Sequence, residues 1–156
     1  MRRKIRIQSE DFEPGTEIAE LTMGRSDIGA VVSFTGLCRD EGGRLAALEL
    51  EHYPGMAEAE IARVADEAER RWPLSGLTII HRFGRILPGQ NIVLVVTASG
   101  HRRAAFESGE FLMDYLKTRA PFWKREHLAG GEVGGWVEAK DADEAATERW
   151  VQTKSA

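Results

Sequence analysis

The chain has 156 residues, of which 42% are hydrophobic and 29% are charged, and its formal net charge is -4. These values are typical of one soluble globular domain covering residues 1–156, and the acidic balance argues against nucleic-acid binding by charge alone. Cys38 is the single cysteine, which excludes an internal disulfide and a zinc site built from several thiolates. The sequence has neither a secretory leader nor an apolar run that could span a bilayer, so we expect a cytoplasmic protein.

Strands dominate the expected structure of the first third of the chain. Alternating polar and apolar residues predict a strand at residues 4–8, and a run rich in Val, Phe and Thr predicts a longer strand at 28–38. A short helix is expected between them, at 16–23. The glycine-containing turn at 40–43 leads into a third strand at 45–53, so the second and third strands are predicted to form a hairpin.

The clearest helix begins after Pro54-Gly55 and ends at Trp72-Pro73. Apolar residues recur there at helical spacing, while Glu and Arg occupy the other face. The predicted buried face comprises Ile61, Val64, Ala65, Ala68 and Trp72. Two strands are expected next, at 77–83 and 91–99, with a connecting loop at 88–89 that contains proline and glycine.

A second long helix is expected after Gly100. Its predicted apolar face comprises Ala105, Phe106, Gly109, Leu112, Met113 and Leu116. The rest of the chain is predicted to contain strands at 122–126 and 136–139, a mobile glycine-rich loop at 128–135, and a helix from Asp141 onward. This order of strands and helices predicts an α+β fold with a mainly antiparallel sheet.

Residues 114–126 place two lysines and two arginines around Pro121, with aromatic residues between them. Because proline disfavours helix at the preceding residue, a helix carrying Lys117 should end there, and Lys124 should lie on an extended segment. Two ammonium groups on different elements can converge on one pocket, where crowding and partial desolvation make a lysine a usable nucleophile or acid. The alternative is a solvated basic helix end whose lysines interact favourably with the helix dipole.

Further candidates for anion binding lie where strands end. His101 and Arg102 follow a predicted strand and open a helix, where free backbone N–H groups favour phosphate; an exposed arginine is the alternative. Arg39 follows the long strand and could either bind an anion or remain exposed, while nothing near Cys38 in sequence favours a reactive thiolate. Residues 101–125 contain six Lys or Arg against three Asp or Glu, which suits a small anionic ligand better than a polymer.

The four histidines show no spacing typical of metal ligands; they are His52, His81, His101 and His127. The sequence also contains no GxSxG elbow and no P-loop, which argues against a serine hydrolase and against a P-loop nucleotide enzyme. We therefore expect neither a metal site nor a resident cofactor.

Several segments have counterparts in one known family. They are GAVVSFTG at 29–36 with Arg39 shortly after it, LEHYPGM at 50–56, IHRFG at 80–84, His101-Arg102, and MDYLKTRAPFWKRE at 113–126. Across residues 28–139 the chain resembles the catalytic (large) subunit family of molybdopterin synthase. The last segment is long and specific, and it carries most of the resemblance.

The resemblance implies a sulfurtransferase of molybdenum cofactor biosynthesis, with an α/β hammerhead-like fold and an additional antiparallel β subdomain. In this family a small ubiquitin-like partner carries sulfur as a C-terminal Gly-Gly thiocarboxylate. Two deliveries convert cyclic pyranopterin monophosphate into the dithiolene of molybdopterin. The large subunits form a homodimer with one small subunit at each end, giving a heterotetramer. Because the sulfur arrives on the partner, the catalytic subunit needs no cysteine nucleophile.

The resemblance also implies roles for individual residues. Lys117 and Lys124 would be the catalytic pair. The implied substrate-binding residues are Leu37, Cys38, Arg39, His101, Arg102, Arg125, Glu126 and Lys140, the last of which could reach a neighbouring subunit's site. A non-catalytic module of the same fold that binds an anion and a partner is the alternative, although two intact lysines argue against it. An RNA-binding domain is disfavoured by the overall acidity.

Overall fold

Strands and helices are interspersed along the chain in the computed structural model, which describes residues 1–137 and 146–151. The strands are β1 (Arg2–Gln8), β2 (Ala30–Leu37), β3 (Leu45–His52), β4 (Leu74–Arg82), β5 (Gly84–Ile86), β6 (Asn91–Ser99) and β7 (Phe122–Leu128). The helices are α1 (Pro14–Thr22), α2 (Met56–Arg71) and α3 (Arg102–Thr118), and residues 146–151 are also helical. None of the described helices is long and apolar enough to cross a membrane.

The strands form two sheets. The larger sheet has the order β1-β4-β6-β2, in which β1 and β4 are parallel and the other neighbours are antiparallel. The smaller sheet has the order β5-β3-β7 and is antiparallel throughout. Two largely antiparallel sheets combined with long helices confirm the predicted α+β class.

The hairpin predicted from the second and third strands is wrong. β2 pairs with β6, with Ala30 opposite Ser99, whereas β3 pairs with β5 and β7 in the other sheet. The register of β2 shifts between Gly36 and Leu37, and the chain then passes into the smaller sheet through residues 38–44. A glycine turn permits a hairpin but does not determine pairing, because register follows the apolar surface that covers each strand.

Helices cover both faces of the larger sheet, with α2 and α3 on one face and α1 on the other. Successive side chains of a strand point to opposite faces, so Ile79 packs with α2 and α3 while Ile80 packs with α1. β4 and β6 are consequently buried on both faces, which explains why each strand carries apolar residues on both faces. The larger of the two cores contains Ile61, Val64, Ala65, Ala68, Leu77, Ile79, Val93, Val95, Phe111, Leu112, Leu116 and Trp150.

The face that α3 presents to the sheet differs in part from the predicted one. Ala105 and Gly109 are buried as expected, but Phe106 is 62% exposed, so its assignment to the apolar face is wrong. Successive helical residues lie about 100° apart, so a residue next to Ala105 in sequence is rotated away from the sheet. Phe111, which the pattern did not select, is fully buried in the core instead.

The end of the described chain packs on α3. Trp150 lies edge-on to Phe111, with ring centroids 5.5 Å apart, and its indole N–H donates to Asp114 Oδ2 at 2.5 Å. The Arg149 guanidinium donates to the same carboxylate oxygen at 2.8 Å. The helix that carries Lys117 is therefore held, one turn before that lysine, by a segment 35 residues further along the chain.

The segment after β7 agrees only in part with the predicted loop and strand. Leu128 belongs to β7, and Val133 forms an isolated bridge with His127. Within the predicted strand 136–139, Val137 forms an isolated antiparallel bridge with Lys124 rather than a strand. Residues 138–139 and the predicted helix start at Asp141 lie outside the described residues.

Candidate functional site

A cavity of about 400 Å³ lies where the two sheets meet the C-terminal end of α3, a volume within the usual range for small-molecule sites. Its apolar wall includes Leu45, Leu48, Leu50, Ile92, Leu116 and Phe122. Its polar lining includes Arg39, Glu41, His81, Lys117, Lys124 and Glu126. The cavity therefore combines an apolar wall with three cationic side chains and one histidine.

Both lysines of the basic segment line this cavity, and they come from different elements, as the spacing around Pro121 predicts. Lys117 lies in the last turn of α3, next to buried Leu116. α3 ends at Thr118, and Arg119 is its capping residue. The helix ends here because Pro121 disfavours helix at the residue before it. Lys124 lies on β7, opposite Leu50 of β3.

Strand alternation determines which residues of β7 face the cavity. Phe122, Lys124 and Glu126 line it, two residues apart, as expected for one face of a strand. Arg125 lies on the opposite face, where its Nε donates to Glu49 Oε1 at 2.8 Å and its guanidinium lies 4.5 Å from the centroid of the Trp136 ring. The side chain of Arg125 therefore points away from the cavity, and its role in substrate binding, expected through the backbone, stays a prediction.

The end of β2 supplies one rim of the cavity through Leu37, Cys38 and Arg39. The Cys38 side chain is only 4% exposed and packs against Ile86, and burial raises the pKa of its thiol. A thiol with a raised pKa is a poor nucleophile, which agrees with the passive role predicted for this cysteine.

Two carboxylates in the cavity wall are held by an arginine outside it. The Arg44 guanidinium donates to Glu126 Oε2 at 3.0 Å and forms a second ion pair with Glu41. The hydrogen bond from Arg44 lowers the pKa of the Glu41 carboxyl, so this group stays ionised. Arg44 thus offsets the negative charge of both acids and leaves the cavity lining with a cationic balance.

His101 and Arg102 lie far from the cavity of their own chain. Both are exposed at the start of α3, with His101 as the capping residue, whereas Lys117 lies at the other end. A rise of about 1.5 Å per residue puts Arg102 and Lys117 about 22 Å apart along the helix axis. The structure therefore does not bring these two groups together within one chain. Lys140 lies outside the described residues.

The sequence patterns missed His81, a buried histidine in the cavity wall. Its ring stacks on Phe122, with centroids 3.8 Å apart and an interplanar angle of 16°. Burial, together with the nearby charge of Lys117, lowers the pKa of His81 to about 4. A search for metal-ligand spacing does not select an isolated histidine, and His81 lies next to Arg82 at the end of β4, so no local pattern distinguishes it.

The fold and cavity define a two-sheet α+β protein with a cationic, partly apolar cavity of small-molecule size. Residues 7–119 match the family model described as MoaE protein. The molybdopterin synthase catalytic subunit of Mesorhizobium japonicum is 69% identical over 146 residues, which cover 94% of this chain and 92% of that protein. The chain therefore belongs to the MoaE family, the family of molybdopterin synthase catalytic subunits.

Solved structures agree with this assignment. The molybdopterin biosynthesis MoaE protein of Burkholderia ambifaria superimposes with a TM-score of 0.82 at 50% identity, covering 97% of this chain and 99% of that one. A protein–protein complex of subunits 1 and 2 of molybdopterin-converting factor from Helicobacter pylori contains the same fold, with a TM-score of 0.69 at 22% identity and coverage of 89% and 90%.

Proposed function

We propose that this catalytic subunit transfers sulfur from the C-terminal thiocarboxylate of a small ubiquitin-like partner to cyclic pyranopterin monophosphate, forming the molybdopterin dithiolene. The observation that carries the proposal is the convergence of Lys117 and Lys124 on one cavity from α3 and β7. The name of the relatives, molybdopterin synthase catalytic subunit, and the presence of two subunits in the Helicobacter complex support it.

The charge of the cavity suits both proposed reactants. The thiocarboxylate and the substrate phosphate are anions, and Arg39, Lys117 and Lys124 supply cations around an apolar wall. A positive cavity attracts and orients such groups, and holding them together replaces a slow encounter in solution. The leucines of β3 limit the water around the reacting atoms, which strengthens the electrostatic contribution of the lysines.

The proposed reaction has two stages for each sulfur. The thiocarboxylate sulfur attacks an electrophilic carbon of the pterin side chain. A C–S bond forms while a C–O bond of that carbon breaks, its oxygen leaves as water or as phosphate, and the partner stays attached as a thioester. Water then adds to the thioester carbonyl, and the acyl C–S bond breaks to give a carboxylate on the partner and sulfur on the substrate. The Lys117 ammonium stabilises the tetrahedral oxyanion, and Lys124 exchanges protons or holds the intermediate.

A homodimer would reconcile the position of Arg102 with a role in substrate binding. His101 and Arg102 are about 22 Å from Lys117 along α3, so they can contact the same substrate only from a second copy of the chain. β2 is an edge strand of the larger sheet, with Val31, Phe34 and Leu37 exposed at 37%, 45% and 51%. We propose that this apolar edge contributes to the dimer interface, with one small partner bound to each protomer.

Product formation from purified components tests the proposal. The chain is mixed with the thiocarboxylated partner and cyclic pyranopterin monophosphate, and molybdopterin is measured; we expect product with wild type and none with the unmodified carboxylate partner. Arg103→Ala is the matched control for loss of a charge, because its side chain is 89% exposed and pairs with Glu107 on the helix surface. Binding of both reactants without product would instead support the non-catalytic module.

A further inference from the structure

The cavity contains many hydrogen-bond donors and few available acceptors. Arg39, Lys117 and Lys124 can only donate when protonated. The two carboxylates in the wall, Glu41 and Glu126, are already engaged by Arg44. A ligand that carries N–H or O–H groups as well as anionic oxygens needs at least one further acceptor in this cavity.

The hydrogen bonding of His81 fixes where its protons lie. Its Nδ1 is 2.9 Å from the backbone oxygen of Arg82. Because a carbonyl oxygen can only accept, Nδ1 carries the proton, and in the neutral ring Nε2 keeps its lone pair. Within residues 1–137 and 146–151, no group donates a hydrogen bond to Nε2.

The surroundings of His81 orient this acceptor. The ring is stacked on Phe122, and the residue is only 9% exposed while lining the cavity. A second aromatic contact holds Phe122 from the side of β3, where the His52 ring centroid lies 5.9 Å away. The packing around the His81 ring therefore restricts its rotation and leaves no room for water in its place.

We infer that His81 Nε2 accepts a hydrogen bond from an N–H or O–H group of the bound substrate, and so makes the cavity selective for a reduced pterin over a simple phosphate. The inference rests on the proposed function, because it takes cyclic pyranopterin monophosphate as the ligand. A reduced pterin carries ring N–H groups and an amino group, none of which can be satisfied by the cationic side chains of the cavity.

Neutral His81 is required for this role, and the structure keeps it neutral. Burial and the charge of Lys117 lower the pKa of His81 to about 4, so Nε2 remains an acceptor at neutral pH. Histidine in the charged form would only donate and would add a fourth cation to the lining. Loss of the acceptor would leave a desolvated donor of the ligand unpaired, which weakens binding more than loss of an exposed hydrogen bond.

Three substitutions separate the possible contributions of His81. His81→Gln retains an acceptor near the position of Nε2. His81→Asn retains a donor for the Arg82 carbonyl but has no acceptor that reaches the cavity. His81→Phe retains the stacking surface for Phe122 and has neither polar atom. Unfolding midpoints of all three variants establish that the comparison concerns folded protein.

The measurement is calorimetric binding of cyclic pyranopterin monophosphate and, separately, of inorganic phosphate. We expect the Asn and Phe variants to bind the pterin about tenfold more weakly than wild type, as for a lost hydrogen bond to a desolvated group. The Gln variant should stay within about threefold of wild type. Phosphate, which lacks the pterin donors, should bind all four proteins equally.

Two outcomes of the binding measurements overturn the inference. Equal pterin binding by wild type and the Asn variant would show that Nε2 receives no bond from the ligand. Equal weakening of pterin and phosphate binding would indicate a distorted cavity rather than a lost acceptor. If the Phe variant does not fold, the Gln and Asn pair decides the question. Wild type that binds phosphate but not the pterin refutes the proposed function itself, and the role of His81 with it.

Discussion

Lys117 and Lys124 reach the same cavity from elements with different packing. Lys117 follows buried Leu116 on a helix that packs into the larger core. The backbone of Lys124 pairs with Leu50 on one side and exchanges hydrogen bonds of 3.1 and 2.7 Å with Val137 on the other, so its position is better held than a neighbouring glycine-rich loop would suggest. The predicted larger effect of Lys117 on the rate therefore rests on its proposed contact with the oxyanion, and not on a more mobile backbone at Lys124.

We predict that Lys117→Ala nearly abolishes product while the protein stays folded and still binds the small partner. A positioned charge that meets the transition state contributes roughly 10²–10³ in rate, and Lys124→Ala should lose less. Lys117→Arg should not restore activity, because the longer, planar guanidinium does not place its charge where the compact ammonium meets the oxyanion. The measurement is single-turnover molybdopterin formation with preformed thiocarboxylate partner. If Lys117→Ala keeps more than about a tenth of the wild-type rate, Lys117 only attracts the reactants by its charge and does not stabilise the transition state.

The neutral state of His81 also predicts a pH dependence of stability. The unfolded chain binds a proton at this histidine near its ordinary pKa, whereas burial lowers the pKa in the folded protein to about 4. Between these values the unfolded state binds more protons, so stability falls as the pH is lowered through the window. The contribution of His81 to the unfolding free energy should be about 2 kcal/mol smaller at about pH 5 than at about pH 8.

Urea unfolding of wild type and His81→Phe at both pH values measures this contribution. The variant should show a smaller decrease in stability on acidification, whatever its stability at the higher pH. Acidic groups do not obscure the comparison: the pKa of Asp27, lowered to about 2 by the hydrogen bond from Arg25, affects stability only at lower pH. Identical decreases in wild type and variant would mean that His81 titrates normally in the folded protein.

At the scale of elements, Trp150 connects the end of the described chain to α3. It is 7% exposed, packs against Trp72 and Phe111, and donates to Asp114. We predict that Trp150→Ala lowers the unfolding free energy by about 3–5 kcal/mol, as for other large buried aromatics. Trp150→Phe, which keeps most of the packing but not the N–H, should cost about 1 kcal/mol. Equal losses for both substitutions in urea unfolding would assign the stabilisation to the hydrogen bond instead.

The elements themselves follow from local sequence more closely than their contacts do. The amphipathic pattern of α2 and the proline after α3 determine where those helices lie, because helical periodicity and proline sterics act over a few residues. Pairing of β2 with β6 depends on which apolar surface covers each strand, and no local pattern encodes it. The three-residue β5 was too short to produce any periodic signal.

The candidate site could likewise be predicted only in part from the sequence. The positions of Lys117 and Lys124 follow from the break at Pro121, whereas the outward direction of Arg125 requires the register of β7 against β3. His81 acquires its role only when α3 and β7 pack beside β4, so its sequence neighbours reveal little. The proposed roles of His101 and Arg102 require a second copy of the chain, and no local sequence pattern encodes that contact.

At the scale of the whole molecule, the apolar edge strand predicts a dimer. Phe34 is 45% exposed on β2, an unusual position for a large aromatic in a monomer with a free sheet edge. Phe34→Asp should convert the protein to a monomer without unfolding it, because the substituted side chain is not part of the core. Light scattering at micromolar concentration measures the change. Phe106→Asp is the matched control, because Phe106 is an exposed aromatic residue on α3. A wild-type protein that is already monomeric would refute the proposed dimer.

If each active site combines Lys117 of one protomer with Arg102 of its partner, two inactive variants should complement each other. In a heterodimer of Lys117→Ala and Arg102→Ala, one site receives both substitutions and the other receives neither. The reason is that each site takes residue 117 from one chain and residue 102 from the other. Purified heterodimers carrying two different affinity tags should therefore regain about half of the wild-type rate of molybdopterin formation. The parent Arg102→Ala homodimer should bind the substrate more weakly by calorimetry while remaining folded. If Lys117 and Arg102 served the same site from one chain, each site of the heterodimer would lack one group, and mixing would restore nothing.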